Sequence, residues 1–199
     1  MSVTHPRRNS LTARAQQCLL PVLSDAVAVI DATAGNGRDT AFLAQASPDT
    51  CRVFAFDVQA EAIEQARLHC APWQQKITWI HGSHAHIATA IPASLHGCVQ
   101  AIMFNLGYLP GGTNKALCTQ PDSTLTAIEQ SMACLADTGI ISLLCYTGHE
   151  GGMAEFEAIM QASITWQRAG WNITSHTPDT NHPTPPRHIL MRRCCSTIA

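Results

Sequence analysis

Residues 27–44 read Val-Ala-Val-Ile-Asp-Ala-Thr-Ala-Gly-Asn-Gly-Arg-Asp-Thr-Ala-Phe-Leu-Ala: an apolar run that breaks on two glycines and resumes as a helix-compatible pattern. Strand, tight turn and helix in that order commit a chain to α/β architecture. Gly35 and Gly37 remove side chains where the backbone must turn and approach a ligand, and the helix beyond presents unpaired N–H groups at the same point. A dinucleotide fingerprint needs a third glycine in the spacing Gly-x-Gly-x-x-Gly, but here that position is Thr40, and the strand ends in Asp31 before the turn. The turn suits a nucleotide-like cofactor, and the missing third glycine weakens the dinucleotide reading.

The segment 52–57, Arg-Val-Phe-Ala-Phe-Asp, is a second apolar run ending in a carboxylate, Asp57. It follows the glycine turn by about twenty residues, the spacing of an acid that accepts hydrogen bonds from ribose hydroxyls. NAD and S-adenosylmethionine (SAM) both use such an acid. What separates them is 102–110, Ile-Met-Phe-Asn-Leu-Gly-Tyr-Leu-Pro, an apolar strand that ends in Asn105 and then Tyr108. It resembles the Asn-Pro-Pro-Tyr motif with which amino-group methyltransferases hold the acceptor nitrogen, with Leu106 and Gly107 in place of the prolines.

Five motifs occur in one order: Asp-Ala-Thr-x-Gly-Asn-Gly-x-Asp-Thr at 31–40, Phe-Asp-x-Gln at 56–59, Ser83-His84, Phe-Asn-Leu-Gly-Tyr-Leu-Pro-Gly-Gly at 104–112 and Tyr-x-Gly-His-x-Gly-Gly at 146–152. The chain resembles, on these motifs and over roughly residues 10–193, the rRNA methylase-type family whose members are tRNA 5-(aminomethyl)-2-thiouridine methyltransferases. It departs from the family pattern at Thr113 and Asn114, where Gly-Gly-Asp-Lys is usual, and at Thr147, where the usual sequence is Tyr-Pro-Gly-His.

The resemblance implies a Rossmann-like class I methyltransferase with a seven-stranded, mostly parallel sheet, helices on both faces and SAM as cofactor. The alternation of patterns along the chain agrees with that architecture. A leading helix spans 10–21 and covers part of the cofactor cleft. Strands follow at 27–32, 52–57, 77–81, 99–104 and 140–146, and a closing antiparallel pair lies around 171–176 and 188–193. Intervening helices run over 38–45, from residue 59 with Ile63, Ala66 and Leu68 inward, over 121–136 with Leu125, Ile128, Met132 and Leu135 on one face, and from 153 with Phe156, Ile159, Met160 and Ile164 inward. Gly139 ends the 121–136 helix and releases the fifth strand. The whole chain, 1–199, is expected to be one methyltransferase domain.

Each site residue takes a role from this frame. Asp31 positions the glycine loop, with Thr33 beside it; Gly35, Asn36 and Gly37 line the methionine part of SAM; Asp39 and Thr40 cap the helix and hold the amino-acid end. Asp57 and Gln59 take the ribose, and Ser83 and His84 line the adenine pocket. His149 faces the site on the substrate side. Asn105, which also contacts the cofactor, and Tyr108 are the catalytic pair: the Asn amide oxygen accepts the amine's hydrogens and aims its lone pair, while Tyr108 stacks on an extruded base.

Composition narrows the partners. A formal charge of −2 and a pI near 6.5 exclude a general nucleic-acid coat and leave a local grip, on a tRNA anticodon loop by the resemblance. Arg7, Arg8 and Arg14 near one end and Arg187, Arg192 and Arg193 near the other are the candidates for a converging basic patch. Nine cysteines without a Cys-x-x-Cys pair read as reduced core thiols. His81, Ser83, His84 and His86 lack a completing carboxylate or thiol, so no metal is expected. The start of the chain carries arginines without an apolar core, and the later apolar runs are strand-sized, so the protein is expected to be cytoplasmic and not in a membrane. The sequence leaves open a homodimer, and as rival functions methylation of an rRNA or small-molecule amine, or a non-catalytic RNA-binding module.

Overall fold

The computed structural model describes residues 11–107 and 119–194. Seven strands form one sheet: β1 (Ala28–Asp31), β2 (Arg52–Asp57), β3 (Ile77–His81), β4 (Val99–Leu106), β5 (Leu135–Cys145), β6 (Trp171–His176) and β7 (Arg187–Arg193). Their order is β3-β2-β1-β4-β5-β7-β6, with β7 running antiparallel between β5 and β6 and the remaining pairs parallel. The order reverses between β1 and β4, and the crevice beyond the carboxyl ends of those two strands is where open α/β sheets take ligands.

Period-two alternation divides the core. Ala28, Ile30, Phe54, Phe56, Ile102 and Phe104 point to one face, under α4 (Ile87–Ala90), α5 (Pro121–Cys134) and α6 (Gly152–Arg168). Val29, Val53, Ala55, Ala101 and Met103 point to the other, against Leu19 and Leu23 of α1 (Leu11–Leu23) and Leu43 of α2 (Arg38–Ala46). Phe54, Phe56 and Phe104 are fully buried, each contributing about 1.5–3 kcal/mol of transfer free energy. Helix α3 (Ala60–His69) closes the edge near β2 and β3.

Several sequence expectations shift. Helix α1 continues through Pro21 to Leu23, because Leu19 and Leu23, four residues apart, are both fully buried and their packing outweighs the hydrogen bond that proline cannot donate. Helix α5 stops at Cys134, and β5 begins at once with Leu135, which pairs with Val99 ahead of a register shift. Gly139 therefore lies inside β5 and does not release it. A Cβ there would stand 2.7 Å from Leu135 Cγ and 2.9 Å from the Val99 carbonyl oxygen, so the irregularity itself requires glycine.

Leu68 and Ile164 are exposed where burial was expected. The inward face of α3 is Ala62, Ile63 and Ala66, and that of α6 is Ile159, Ser163 and Trp166. Strand β4 also runs two residues past its expected end, which places Asn105 on the strand tip.

Candidate active site

At the end of β1 the chain turns through Gly35 (φ 51°) and Gly37 (φ 78°), both left-handed. Gly37 has a second constraint: a Cβ would lie 2.9 Å from Ala66 of α3. Asp31 braces the turn from behind. Its carboxylate accepts from Thr33 N at 3.2 Å and from Thr40 Oγ1 at 2.6 Å, and the residue is fully buried. Asp57 braces it from the front, accepting from Gly35 N at 2.8 Å and Gln59 N at 2.9 Å. Each carboxylate oxygen of Asp57 keeps a further lone-pair site on the cleft side.

A cleft of about 750 Å³ opens at this point. Of the residues expected from sequence, Thr33, Gly35, Asn36 and Asp39 line it from the turn, Asp57 and Gln59 from the end of β2, Ser83 and His84 from the end of β3, and Asn105 and His149 from the far side. Asp31, Gly37 and Thr40 do not: they form the frame behind the wall. Asp39 and Thr40 do not cap α2 either, because its N-cap is Gly37, without a side-chain cap. Tyr108 lies outside the described residues, as do Thr113 and Asn114.

Asn105 is held at two points, its backbone N and its side-chain Nδ2. Its backbone N donates to Thr33 Oγ1 at 2.6 Å, its Nδ2 donates to Asp39, and its Oδ1 is buried without a hydrogen-bond partner among the described residues. His84 has a similar asymmetry. Nδ1 is 3.2 Å from the Ala32 carbonyl oxygen and donates to it, so Nε2 is the bare acceptor; it too lacks a partner among the described residues. Burial pushes the imidazole pKa down, outweighing the Ala32 bond and the Asp57 charge, and keeps it neutral. Its ring packs edge-on to Phe104.

Other walls carried no role in the sequence. Thr12 of α1 lines the cleft, and so do Tyr146 and, from the loop before β7, His182, Thr184 and Pro186. Thr147, where the family pattern has proline, donates to the Pro185 carbonyl oxygen at 3.0 Å and so ties that loop to the end of β5. Gly148 makes room for it, since a Cβ would come within 3.0 Å of Thr184 Oγ1. Glu155, buried in the first turn of α6, accepts from Thr119 on the cleft wall at 2.7 Å and from Thr124 at 2.6 Å. None of these contacts follows a periodicity or spacing. Only Tyr146, Thr147 and Gly148 sat inside a recognisable motif.

Among the described residues, Arg14 and Arg193 are not brought together. Arg14 acts on His188 of β7, whose pKa burial, then Arg14 and His176, lower to about 4. Arg193 sits at the opposite end of the strand against Trp171 and Asp137. Arg7 and Arg8 lie outside the described residues. Among the described residues no group of three or more His, Cys, Asp or Glu side chains is placed to hold a metal ion, and no helix is long and apolar enough to cross a membrane.

A left-handed glycine turn, an acid facing the cleft beside it, and two buried acceptors without partners are the features a nucleoside-bearing sulfonium cofactor would meet. The family model described as "Putative rRNA methylase" matches residues 53–192. The chain belongs to this family. Family members of known structure share the fold: a Clostridium thermocellum protein of the same description superposes with a TM-score of 0.85 at 27% identity, over 96% of this chain and 100% of its own. A Streptococcus mutans protein solved in complex with S-adenosylhomocysteine (SAH) gives 0.79 at 27% identity, over 96% and 99%. The chain is also 35% identical over 173 residues to the chloroplastic tRNA (mnm(5)s(2)U34)-methyltransferase of Arabidopsis thaliana, which covers 82% of this chain and 62% of that relative. This rRNA methylase-family chain is a SAM-dependent methyltransferase of the class I fold.

Asp31 gives this enzyme a pH signature independent of catalysis. Burial, then the neighbouring Asp39 charge, raise its carboxyl from 3.8 to about 7, against the opposing bonds from Thr40 and Thr33. An acid raised on folding stabilises the fold fully below its unfolded value, and that contribution is lost as pH climbs through the folded one. Asp31→Asn keeps an acceptor for Thr33 N and can donate to Thr40, without a charge to bury. Its melting temperature relative to the parent should therefore rise between about pH 4 and pH 7 and level off above. A difference that stays flat across that window contradicts this account of Asp31.

Proposed function

We propose that the enzyme methylates the exocyclic amine of 5-aminomethyluridine, 2-thiolated or not, at the tRNA wobble position. The observation that carries the reading is Asn105 at the strand tip: the residue lines the cleft, and its Oδ1 is buried without a hydrogen-bond partner among the described residues. It is an acceptor waiting for N–H groups. The 35% identical Arabidopsis relative, named for the mnm(5)s(2)U34 position, supports the acceptor; the family description, which names rRNA, leaves ribosomal RNA as the second reading.

Asp57 and Gln59 would hold the ribose of SAM, Gly35, Asn36 and Asp39 its methionine part, and Ser83 and His84 its adenine. The cofactor supplies an electrophilic methyl carbon bound to a positively charged sulfur. The chain must present a neutral amine whose lone pair lies along the C–S axis. Asn105 Oδ1 accepts one amine hydrogen and so turns the lone pair away from itself and toward the methyl group. A primary aliphatic amine is mostly protonated at neutral pH, but burial in the cleft and the adjacent sulfonium disfavour the ammonium. The amine would attack as a neutral group, the sulfur would leave as the neutral thioether of SAH, and the resulting secondary ammonium would pass its extra proton to water, so no strong base is needed. Tyr108, three residues beyond Asn105, is assigned to stacking on the extruded base.

The test is a short anticodon stem-loop carrying the 5-aminomethyl group, incubated with protein and SAM. It should gain one methyl group on the side-chain nitrogen, while the same RNA with unmodified uridine, which has no nucleophile, stays unchanged. A methyl group found on a ring carbon or ribose hydroxyl overturns the assignment of the acceptor.

A further inference from the structure

Asp39 stands between two amides drawn from distant parts of the chain. Gln16 Nε2, from α1, donates to Oδ1 at 2.9 Å, and Asn105 Nδ2, from the tip of β4, donates to Oδ2. An ionised carboxylate only accepts, so both amides must turn their NH₂ groups toward it. For Asn105 this fixes the other half of the side chain. Its oxygen has to face away from Asp39, and that is the oxygen left buried and without a partner among the described residues.

We infer that Gln16 and Asp39 are positioning residues for methyl transfer, locking the Asn105 amide in the one orientation that offers its oxygen to the acceptor nitrogen. The inference rests on the reading of Asn105 given above and extends it to residues on two other elements. The lock matters because an asparagine amide has two nearly isosteric orientations. Flipped, Asn105 would point an N–H at the amine and donate to the lone pair that must attack carbon. That complex binds, yet its nucleophile is masked.

Gln16 has its own part. Burial raises the Asp39 carboxyl on balance, and the bonds from Gln16 and Asn105 and the charge of Arg38 oppose that rise without cancelling it. A protonated Asp39 would be able to donate to Asn105 Oδ1 and so favour the flipped amide; Gln16 opposes this because its bond to Oδ1 is stronger when Asp39 is ionised and so favours the carboxylate. Gln16 does not line the cleft, whereas Asp39 does. An effect of Gln16 on the rate must therefore pass through Asp39.

Gln16→Leu removes the donor and keeps the bulk. Single-turnover methylation at saturating SAM should slow roughly tenfold, the loss expected for one hydrogen bond to a charged group, while the melting temperature stays near the parent value. In an Asn105→Ala background the same substitution should add nothing, because the amide it orients is gone. A second readout needs no substrate: in the NMR spectrum of the SAH complex, the Asn105 side-chain NH₂ pair, assigned by its loss in Asn105→Ala, should be displaced downfield and slow to exchange. It should move toward solvent-like values in Gln16→Leu and in Asp39→Asn. Unchanged Asn105 resonances in both variants, or an equal slowing by Gln16→Leu with and without Asn105, overturns the inference. If the parent enzyme methylates no wobble amine at all, the proposed function fails, and the NMR arm still decides whether the lock exists.

Discussion

Replacing Asn105 with alanine is expected to slow single-turnover methylation by roughly a hundredfold or more while SAM affinity stays within a few-fold of the parent. The two halves follow from one geometry. Asn105 Oδ1 is buried at the strand tip with nothing to accept from among the described residues, so removing it deletes the group that aims the nucleophile. The turn that shapes the cofactor end of the cleft is braced by Asp31 and Asp57, which do not bond Asn105; Asn105 meets the turn at Thr33, through a backbone N–H that alanine keeps, and at Asp39 through its side-chain amide. Rapid-quench measurement of one turnover, together with calorimetric titration of SAM, separates the two effects. A variant that turns over normally moves the acceptor-holding role elsewhere in the cleft. One that loses cofactor affinity in proportion to rate makes Asn105 a cofactor residue only.

The second large effect belongs to Asp57. Asp57→Ala should weaken SAM and SAH binding by well over tenfold, because each charge-assisted hydrogen bond to a ribose hydroxyl contributes about 1.5–3 kcal/mol. The same change strips the acceptor from Gly35 N and Gln59 N, so the turn itself loosens. Asp57→Asn distinguishes the two contributions: its Oδ1 can still take one backbone N–H, but its NH₂ faces the other donor. It should therefore bind more weakly than the parent and better than Asp57→Ala. Unchanged affinity in Asp57→Ala, read by calorimetry, removes Asp57 from the cofactor site.

The sheet was legible because buried strands carry their own signal. Ala28 to Asp31 and Arg52 to Asp57 are short apolar runs bounded by turns, and the strands fall there. The junction of α5 with β5 was not, since Leu135 fits the helical face of Leu125, Ile128 and Met132 equally well; what takes it into the strand is its pairing with Val99, a contact 36 residues away in sequence. Helix ends are decided by such long-range pairings more than by the local residue.

The site divides in the same way. Residues at carboxyl ends of strands, Asp57, Ser83, His84 and Asn105, reach the cleft because topology puts every such end on one edge. Asp31 sits at such an end too, yet it points with Val29 to the α2 face and meets Thr40 there, as period-two alternation from Val29 requires. Gly37 is needed for packing on Ala66 as much as for its φ. The wall formed by His182, Thr184 and Pro186 was invisible, since a proline-rich loop has no periodicity and is placed only by Thr147 and Gly148.

The central claim is that the cleft joins a SAM site to an amine-holding asparagine that serves one modified base. Nucleoside mass spectrometry of tRNA from cells lacking the gene tests it most directly. The account predicts that 5-aminomethyl nucleosides accumulate, the 5-methylaminomethyl form disappears, and both revert when the parent gene, but not the Asn105→Ala variant, is returned. Unchanged tRNA nucleosides, with a methyl group missing from ribosomal RNA instead, would contradict it.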